Sequence, residues 1–533
     1  MSSTAAPTRE GLAPAASAPT LVWTGVGDVV GRLAREAPER VLLVDAEHGF
    51  ERTVAEVDRR RRQLANALLA RLERGDRVAV LMPNRAEAAE AIYGITTAGM
   101  VQVNVNDALT SSEMQYILSD SGTRLVLVDE SLVDTLAEAA PGLDYVVVGG
   151  PDGPFEQMLA AASHAEPSCD IDLDEPALLI YTSGTTGRPK GVTLSHRNVL
   201  EAATNFLIDC WGNDGVAHLS AIPYFHVACI PNLGLLIRGM TVVICRFDPK
   251  KVARLIEAHR ITHLSIPPTA VALVLDAIEA EDVDVTSLRQ VLYGGSPMPL
   301  PVLQRGIEML GPMFLQTYGM TETGAVITVL REQEHDTSSP ERLASCGRQI
   351  TRVDVAVVGP DGTPLPNGTP GELVARGSAV MIGYWNNPQA TADAHFGDWF
   401  RTGDMAVRDD AGFFTIVGRI KDMIISGGNN VYPVEVEKVL EDHPGIHEVA
   451  VLGVPHPIWS ETVAAVVVGD RAIEPNGLRA WCADRLAPYK QPRVVIHVDA
   501  LPRNPIGKVD KPALRQSIHA ELAEAAAALA AEA

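Results

Sequence analysis

Apolar and polar residues alternate in two different ways along this chain, and the change falls near residue 350. From residue 77 onward, short runs rich in apolar residues are separated by stretches in which apolar residues recur at helical spacing. The runs predict strands at residues 78–81, 101–104 and 125–128, and again at 178–181, 241–244, 263–266 and 290–293. Residues 85–98 and 111–118 predict helices. Alternation of strands and helices is typical of a parallel α/β architecture.

The pattern after residue 350 predicts a β-rich region. Short strands at residues 353–358, 372–375 and 413–417 are separated by turn sequences such as Pro360-Asp361-Gly362. We therefore predict an α/β protein with a large N-terminal domain, composed of two α/β subdomains and a β-rich subdomain, and a small α/β C-terminal domain. The predicted boundaries are a disordered tail at 1–20, the N-terminal domain at 21–420, the C-terminal domain at 421–517 and an alanine-rich tail, a frayed helix, at 518–533.

Charge and composition exclude several classes of protein. Among 533 residues, 44 are Lys or Arg and 67 are Asp or Glu, so the formal net charge is −23. Such an acidic chain repels the phosphates of nucleic acids, which excludes nucleic acid as the expected partner. The six cysteines are scattered without a C-x-x-C pair, which predicts reduced thiols in a cytoplasmic protein rather than a zinc site or disulfides. Neither the first twenty residues nor the apolar stretch 221–245 has the pattern of a signal peptide or a transmembrane segment.

A run of four arginines, at residues 59–62, lies in a stretch of helical spacing. Leu64, Leu68 and Leu72 fall on another face of that helix. The run therefore predicts a solvated helix face rather than a binding patch.

The strongest chemical signal is the segment 181–191, which reads Tyr-Thr-Ser-Gly-Thr-Thr-Gly-Arg-Pro-Lys-Gly. It follows an apolar strand and ends with two cations, Arg188 and Lys190. Glycines let backbone N–H groups approach an anion closely, and hydroxyl groups add donors. The segment is not a Walker A loop, because the Gly-Lys-Ser/Thr ending is missing. We predict that it binds phosphate through Thr182, Ser183, Gly184, Thr185, Thr186 and Lys190.

This segment resembles the signature of the adenylate-forming superfamily, which includes acyl-CoA synthetases, non-ribosomal-peptide adenylation domains and luciferases. Further motifs that resemble those of the superfamily follow in order over residues 25–515. They are Pro223-Tyr224-Phe225-His226, Tyr293-Gly294-Gly295-Ser296, Gln316-Thr317-Tyr318-Gly319-Met320-Thr321-Glu322, Arg401-Thr402-Gly403-Asp404, Gly418-Arg419-Ile420-Lys421-Asp422, Ser426-Gly427-Gly428-Asn429 and Asn504-Pro505-Ile506-Gly507-Lys508.

The resemblance implies a site for ATP. Glu322 would be the ligand of Mg²⁺, which prefers one or two carboxylates together with phosphate and water. Thr321 would donate to the α-phosphate, and Lys508 would reach the substrate carboxylate and the α-phosphate during adenylation. Asp404 would accept from the ribose hydroxyls, with Arg419 beside it. The nucleotide would further contact Gly294, Gly295, Ser296, Gln316, Thr317, Tyr318 and Gly319.

The resemblance also implies that the C-terminal domain is mobile. Lys421 matches the hinge position, about which this domain would turn between an adenylation pose and a thioester-forming pose. Gly427 and Gly428 would border the passage for the pantetheine arm of coenzyme A. Asn429 stands where an acidic residue is frequent in the family, which leaves the contacts to coenzyme A open.

The predicted acyl pocket is neutral. By resemblance it includes Phe225, Ala228, Cys229, Met320 and Val326, with His226 as a catalytic pocket residue. Amino-acid-activating domains place an Asp near the position of His226 to hold the substrate ammonium. An unpaired ammonium would be costly to bury here, so amino acids are disfavoured and a fatty, aryl or alicyclic acid is expected.

The sequence therefore predicts an AMP-forming acid–CoA ligase. An acid and MgATP would give an acyl-adenylate and pyrophosphate, and the thiol of coenzyme A would then displace AMP. Three alternatives stay open: a ligase that loads a carrier protein, a member specialised for one half-reaction, and a non-catalytic nucleotide-binding scaffold. The expected partners are the small acid, ATP and coenzyme A, and a homodimer is left open.

Overall fold

The computed structural model describes residues 25–182, 188–211, 216–227, 229–296, 298–427, 429–503 and 508–532. These residues form four β-sheets, of seven, nine, five and five strands. None of the helices in these ranges combines the length and the apolar character that crossing a membrane requires. The predicted tail at 1–20 lies outside the described residues.

The first sheet has seven strands and is parallel in its centre. Its central strands are buried almost throughout, as expected for a parallel sheet covered by helices on both faces. In spatial order its strands are Gly383–Tyr384, Lys190–Ser195, Pro176–Thr182, Val101–Asn104, Arg77–Leu81, Thr123–Asp129 and Tyr145–Val148.

The second sheet has nine strands, and apolar clusters cover both of its faces. Along the strand Gln290–Gly294, successive side chains enter opposite clusters: Val291 and Tyr293 point to one, and Leu292 points to the other. In spatial order its strands are Arg348–Gln349, Thr328–Leu330, Phe314–Tyr318, Gln290–Gly294, His263–Ser265, Ala217–Ser220, Thr241–Ile244, Val41–Asp45 and Phe50–Thr53.

The third sheet is antiparallel and corresponds to the β-rich region of the sequence. Its strands are Asp354–Val358, Gly371–Arg376, His395–Phe396, Trp399–Arg408 and Phe414–Arg419. The connecting segment Gly383–Tyr384 leaves this region and pairs with strand Lys190–Ser195 of the first sheet. The third sheet is thereby tied to the segment that follows the predicted phosphate loop.

The fourth sheet lies in the C-terminal part of the chain. Its strands are Ile424–Ser426, Asn429–Val431, Ile446–His456, Ser460–Gly469 and Val494–His497. The alanine-rich tail forms the helix His519–Glu532, and its apolar residues Leu522 and Leu529 pack against the core of this sheet.

The helices connect and cover these sheets. They are Asp28–Glu36, Val54–Leu69, Ala86–Thr97, Ser111–Ser121, Val133–Ala139, Pro154–Ala161, His196–Asp209, Cys229–Ile237, Pro249–Ala258, Pro268–Glu281, Leu300–Leu310, Pro340–Leu343, Pro388–Asp393, Pro433–Glu441, Pro475–Cys482, Lys511–Ser517 and His519–Glu532. The predicted fold class, α/β with a large N-terminal domain and a small C-terminal domain, is confirmed.

The prediction of a solvated arginine face was wrong for two of the four arginines. Arg60 and Arg61 lie on the helix Val54–Leu69 and are only 7% and 2% exposed. Arg60 donates to Glu90 at 2.7 Å and to both carboxylate oxygens of Glu156 at 2.7 and 2.8 Å. Arg61 makes the corresponding pair of bonds to Glu166. The acceptors Glu90, Glu156 and Glu166 are distant from the arginines in the sequence. The local pattern therefore did not show that the two arginines are buried and form ion pairs.

Candidate active site

The candidate site lies where residues of all four sheet regions meet. Thr182 ends a strand of the first sheet, Tyr318 ends a strand of the second, and Asp404 lies within the third. Lys508 comes from the C-terminal part of the chain and lies close enough to Asp404 for their charges to interact. Clefts at the carboxyl ends of strands are common ligand sites in α/β proteins.

Asp404 is the centre of one polar cluster. It is 4% exposed, accepts a hydrogen bond from the Tyr318 hydroxyl at 2.6 Å and pairs with Arg419 at 2.9 Å. Asp404 and Arg419 are register partners on adjacent antiparallel strands, so their side chains share one face of the sheet. Burial and the Asp404 charge raise the pKa of Tyr318 well above its usual value, so this phenol remains a donor. The cluster offers both a buried carboxylate and a half-exposed guanidinium to a ligand.

Lys508, which lies near Asp404 and Arg419, also interacts electrostatically with His226. Burial and the nearby Arg419 charge lower the pKa of Lys508, and the Asp404 charge opposes this shift. Burial, with a contribution from the Lys508 charge, lowers the pKa of His226 to about 4. At neutral pH the His226 imidazole is therefore uncharged, and the neighbouring Lys508 charge favours that form. His226 belongs to the predicted acyl motif, so the structure brings the predicted acyl and adenylation residues together.

These pKa shifts predict how activity depends on pH. Because the pKa of Lys508 is lowered, its ammonium loses its proton at a lower pH than an ordinary lysine does. As the pH is raised, kcat/KM for pyrophosphate release should therefore begin to decrease at a pH below the range in which lysine usually titrates. His226 stays neutral down to about pH 4, and it should contribute no acid limb above that value. The profile is measured for the native chain and for Lys508→Arg, which keeps its charge at high pH. An alkaline limb at the same pH in both proteins would contradict the assignment.

Glu322 is the centre of a second polar cluster. Its Oε1 accepts from the Tyr384 hydroxyl at 3.0 Å and from Thr182 Oγ1 at 3.4 Å. The Lys190 ammonium lies 4.8 Å from the centre of the Tyr384 ring. Burial and the Glu322 charge raise the pKa of Tyr384, so its hydroxyl stays protonated. A carboxylate, a hydroxyl and a lysine beside the predicted phosphate segment fit the groups that hold a magnesium–phosphate complex.

Within the described ranges, no cluster of three or more His, Cys, Asp or Glu could hold a metal by itself. Glu322 therefore fits Mg²⁺ that is held largely by phosphate oxygens and water rather than in an all-protein cage.

The predicted nucleotide segment leaves no room for side chains at two of its glycines. A Cβ on Gly294 would lie 2.5 Å from Thr317 Oγ1, and one on Gly319 would lie 2.1 Å from the Ala325 carbonyl oxygen. Gly294 and Thr317 are register partners at the ends of adjacent parallel strands. Gln316 accepts from the Tyr293 hydroxyl at 3.3 Å. Gly295 and Ser296 follow directly, and Gly295 has a positive φ of 82°.

The loop that carries Phe225 and His226 is held by two asparagines. The backbone N–H of Tyr224 donates to Asn84 Oδ1 at 2.9 Å, and Asn104 Nδ2 donates to the Tyr224 carbonyl at 3.3 Å. Phe225 and His226 are half-buried. Cys229 begins the next helix, is buried and lines a small cavity with Tyr93, Gln102 and Tyr224.

The other predicted acyl residues are buried or partly buried. Met320 packs against the apolar cluster that contains Cys229, whereas Val326 lies in a neighbouring cluster with Phe206 and Trp211. Thr321 is 6% exposed and lies in the turn that also carries Glu322.

The predicted hinge residue Lys421 and the predicted coenzyme A residue Gly427 both lie at exposed positions. Lys421 is exposed in the turn after Arg419, and Gly427 is exposed, with its N–H bonded to the Trp459 carbonyl at 2.9 Å. The remaining predicted residues, Ser183, Gly184, Thr185, Thr186, Ala228 and Gly428, lie outside the described residues.

Sequence reasoning missed Tyr384 and Asp120. Asp120 accepts from the Tyr181 hydroxyl at 2.7 Å and so holds the strand that leads into the phosphate loop. The two adjacent aromatic residues Tyr384 and Trp385 after a glycine could have drawn attention to this segment. Their hydrogen-bond partners, Glu322 and Asp120, are far away in the sequence.

Comparisons with known proteins identify the family of this chain. The family model of the AMP-binding enzyme matches residues 31–385, and that of the AMP-binding enzyme C-terminal domain matches residues 435–508. A feruloyl-CoA synthase of Amycolatopsis sp is 38% identical over 502 residues, which cover 92% of this chain and 99% of that protein. The long-chain-fatty-acid–CoA ligase FadD13 of Mycobacterium tuberculosis is 35% identical, with 93% and 99% covered.

Among solved structures, the o-succinylbenzoate CoA synthetase MenE of Bacillus subtilis, in complex with its acyl-adenylate intermediate, has a TM-score of 0.81 and 31% identity. The match covers 91% of this chain and 97% of that one. The fold is that of an adenylate-forming enzyme. The chain belongs to the AMP-binding enzyme family.

Proposed function

We propose a role for each residue of this site in the two steps of the reaction, which are acid activation and thioester formation. The predicted reaction class is confirmed: the chain is an AMP-forming acid–CoA ligase that acts through an acyl-adenylate on an acid, ATP and coenzyme A. Its relatives of this class are 35–38% identical over nearly their full length. The roles of individual residues, the metal and the acid are proposals.

The observation that carries the assignment is the meeting of Lys508 with the Asp404–Arg419 pair and His226. Asp404 would accept from the ribose hydroxyls, and its bonds to Tyr318 and Arg419 keep the carboxylate in one orientation. Lys508 would then lie between the acid and the α-phosphate. Its charge opposes the repulsion between the carboxylate and the phosphate as they approach, and positioning by the protein removes the entropy cost of bringing them together. Thr321 would donate to the same phosphate.

The β- and γ-phosphates would bind to the segment between Thr182 and Lys190. Glu322 would hold Mg²⁺, which when bound neutralises phosphate charge. Lys190 supplies a further cation on the same side, beside Tyr384.

For the second step, we propose that the C-terminal domain turns at Lys421, which removes Lys508 from the α-phosphate. Gly427 and Gly428 would then border the path of the pantetheine thiol, where the lack of side chains permits close passage. The exposed position of Lys421 in a short turn supports a hinge there.

The acid is proposed to be an uncharged fatty, aryl or alicyclic carboxylic acid. The described residues of the predicted acyl wall, Phe225, His226, Cys229, Met320 and Val326, include no acidic side chain, and burial keeps His226 itself uncharged at neutral pH. A substrate ammonium would therefore lack a partner in this wall. We place the enzyme in the cytoplasm because all six cysteines are free.

The test is a panel of carboxylic acids in which pyrophosphate release is measured with and without coenzyme A. Fatty, cinnamic, benzoic and alicyclic acids are compared with amino acids of similar size. We expect release with uncharged acids, little release with amino acids, and acyl-CoA formation when coenzyme A is added. Light scattering on the same sample tests whether the enzyme is a homodimer.

The alternatives give different results in this panel. Acyl transfer to a carrier protein but not to coenzyme A would indicate a carrier-loading ligase. Adenylate without any thioester would indicate an enzyme of one half-reaction, and ATP binding without pyrophosphate release from any acid would indicate a non-catalytic scaffold.

A further inference from the structure

Tyr384 lies between the two charged side chains assigned above to the metal and to the phosphates. Its hydroxyl donates to Glu322 Oε1 at 3.0 Å, and the face of its ring lies 4.8 Å from the Lys190 ammonium. A tyrosine can do both at once, because its hydroxyl is in the ring plane whereas a cation binds to the ring face. One side chain thus contacts an anion from the turn Thr321–Thr323 and a cation from the strand Lys190–Ser195.

The backbone around Tyr384 is held on both sides. The N–H of Ile382 donates to the Thr193 carbonyl at 3.1 Å, and that of Trp385 donates to the Gly191 carbonyl at 2.7 Å. The N–H of Tyr384 itself donates to Thr391 Oγ1 at 2.9 Å. The side chain is therefore presented from a short paired strand rather than from a loose loop.

The packing next to this strand is also close. A Cβ added to Gly191 would lie 3.0 Å from the Tyr181 ring and 3.2 Å from Trp385 Cβ. The Trp385 indole N–H donates to the Asp120 carbonyl at 3.2 Å, and the Asp120 carboxylate receives the Tyr181 hydroxyl. These contacts connect the Tyr384 segment to both ends of the phosphate loop.

We propose that Tyr384 is a positioning residue for the metal and phosphate part of the site. Its hydroxyl orients the Glu322 carboxylate toward the divalent cation, and its ring holds the Lys190 ammonium toward the phosphates. This inference rests on the proposed role of Glu322 as the metal ligand. It assigns no contact between Tyr384 and the substrate.

Two substitutions separate the hydroxyl from the ring. Tyr384→Phe removes the hydrogen bond to Glu322 but keeps a ring beside Lys190, whereas Tyr384→Leu removes both. Tyr145→Phe is the matched control, because Tyr145 is 44% exposed on the strand Tyr145–Val148 at the edge of the first sheet. Melting temperatures of all variants verify that they fold.

The measurement is binding of Mn²⁺, followed by electron paramagnetic resonance, to the full-length chain with a non-hydrolysable ATP analogue. Hydrogen bonds to charged groups are typically worth enough to change an affinity about tenfold. We expect Tyr384→Phe to weaken Mn²⁺ binding by about that factor, with binding of the metal-free nucleotide unchanged. Tyr384→Leu should weaken binding of the metal-free nucleotide as well, because Lys190 loses its support.

Glu322→Gln distinguishes a failure of this inference from a failure of the metal assignment. In one outcome, Glu322→Gln loses Mn²⁺ affinity while Tyr384→Phe binds Mn²⁺ as tightly as the native chain does. That result would overturn the role of the Tyr384 hydroxyl and leave Glu322 as the metal ligand. If neither variant loses affinity, both assignments are overturned. If Tyr384→Leu binds the metal-free nucleotide as tightly as Tyr384→Phe, the role of the ring is overturned.

Discussion

Replacing Lys508 with alanine is expected to slow acyl-adenylate formation about 100- to 1,000-fold, which corresponds to roughly 3–4 kcal/mol of lost transition-state stabilisation. The ammonium lies beside Asp404, Arg419 and His226, at the place where two anions must approach each other. A neutral side chain would leave their repulsion unopposed. The change is measured as acid-dependent pyrophosphate release at saturating substrates.

The thioester step provides the internal control for this prediction. Starting from a preformed acyl-adenylate, Lys508→Ala should form acyl-CoA at the native rate, because the proposed second pose does not use Lys508. Lys250→Ala is the matched control, since Lys250 is exposed on the helix Pro249–Ala258. Equal loss in both steps would contradict the proposed role, and unchanged pyrophosphate release would support the non-catalytic scaffold instead.

The second large effect concerns stability rather than catalysis. Arg60→Ala is expected to lower the free energy of unfolding by about 3–5 kcal/mol, the usual cost of removing one partner from a buried ion pair. Glu90 is 3% exposed and would remain in the protein interior without its closest cation, while Glu156 would lose two hydrogen bonds. Burial already raises the pKa of Glu90.

Arg59→Ala is the control, because Arg59 is the exposed neighbour on the same helix. Its effect should stay within about 0.5 kcal/mol, as for most surface substitutions. Both proteins are compared by thermal and denaturant unfolding. Similar melting temperatures for the two variants would show that the buried ion pairs contribute little to the stability of this subdomain.

Much of the fold could be predicted from local patterns. The strands at 178–181, 241–244, 263–266 and 290–293 were visible because buried strands of a parallel sheet are short apolar runs, and each corresponds to an observed strand. The phosphate role of segment 181–191 stays a prediction, which rests on glycines, hydroxyls and cations that are close together in the sequence. Local patterns succeed where the physical requirement is itself local.

Contacts between distant residues could not be predicted in the same way. Arg60 and Arg59 are adjacent and chemically identical, yet one is buried and the other exposed, because only Arg60 faces Glu90 and Glu156. Tyr384 was overlooked since its hydroxyl meets Glu322, a residue 62 positions away. In both cases the deciding partner comes from another element.

The sequence by itself determined the class of fold, the order of the motifs and the chemical types of side chain available for binding ATP and an acid. Periodicity and local composition contain that information, because hydrophobic burial and phosphate binding select residue types over short stretches. Only the tertiary structure decided which charges meet: Tyr318 with Asp404 across 86 residues, and Thr182 with Glu322 across 140. Electrostatic and hydrogen-bond energies depend on distances in space, and those distances are set by the packing of sheets from different parts of the chain.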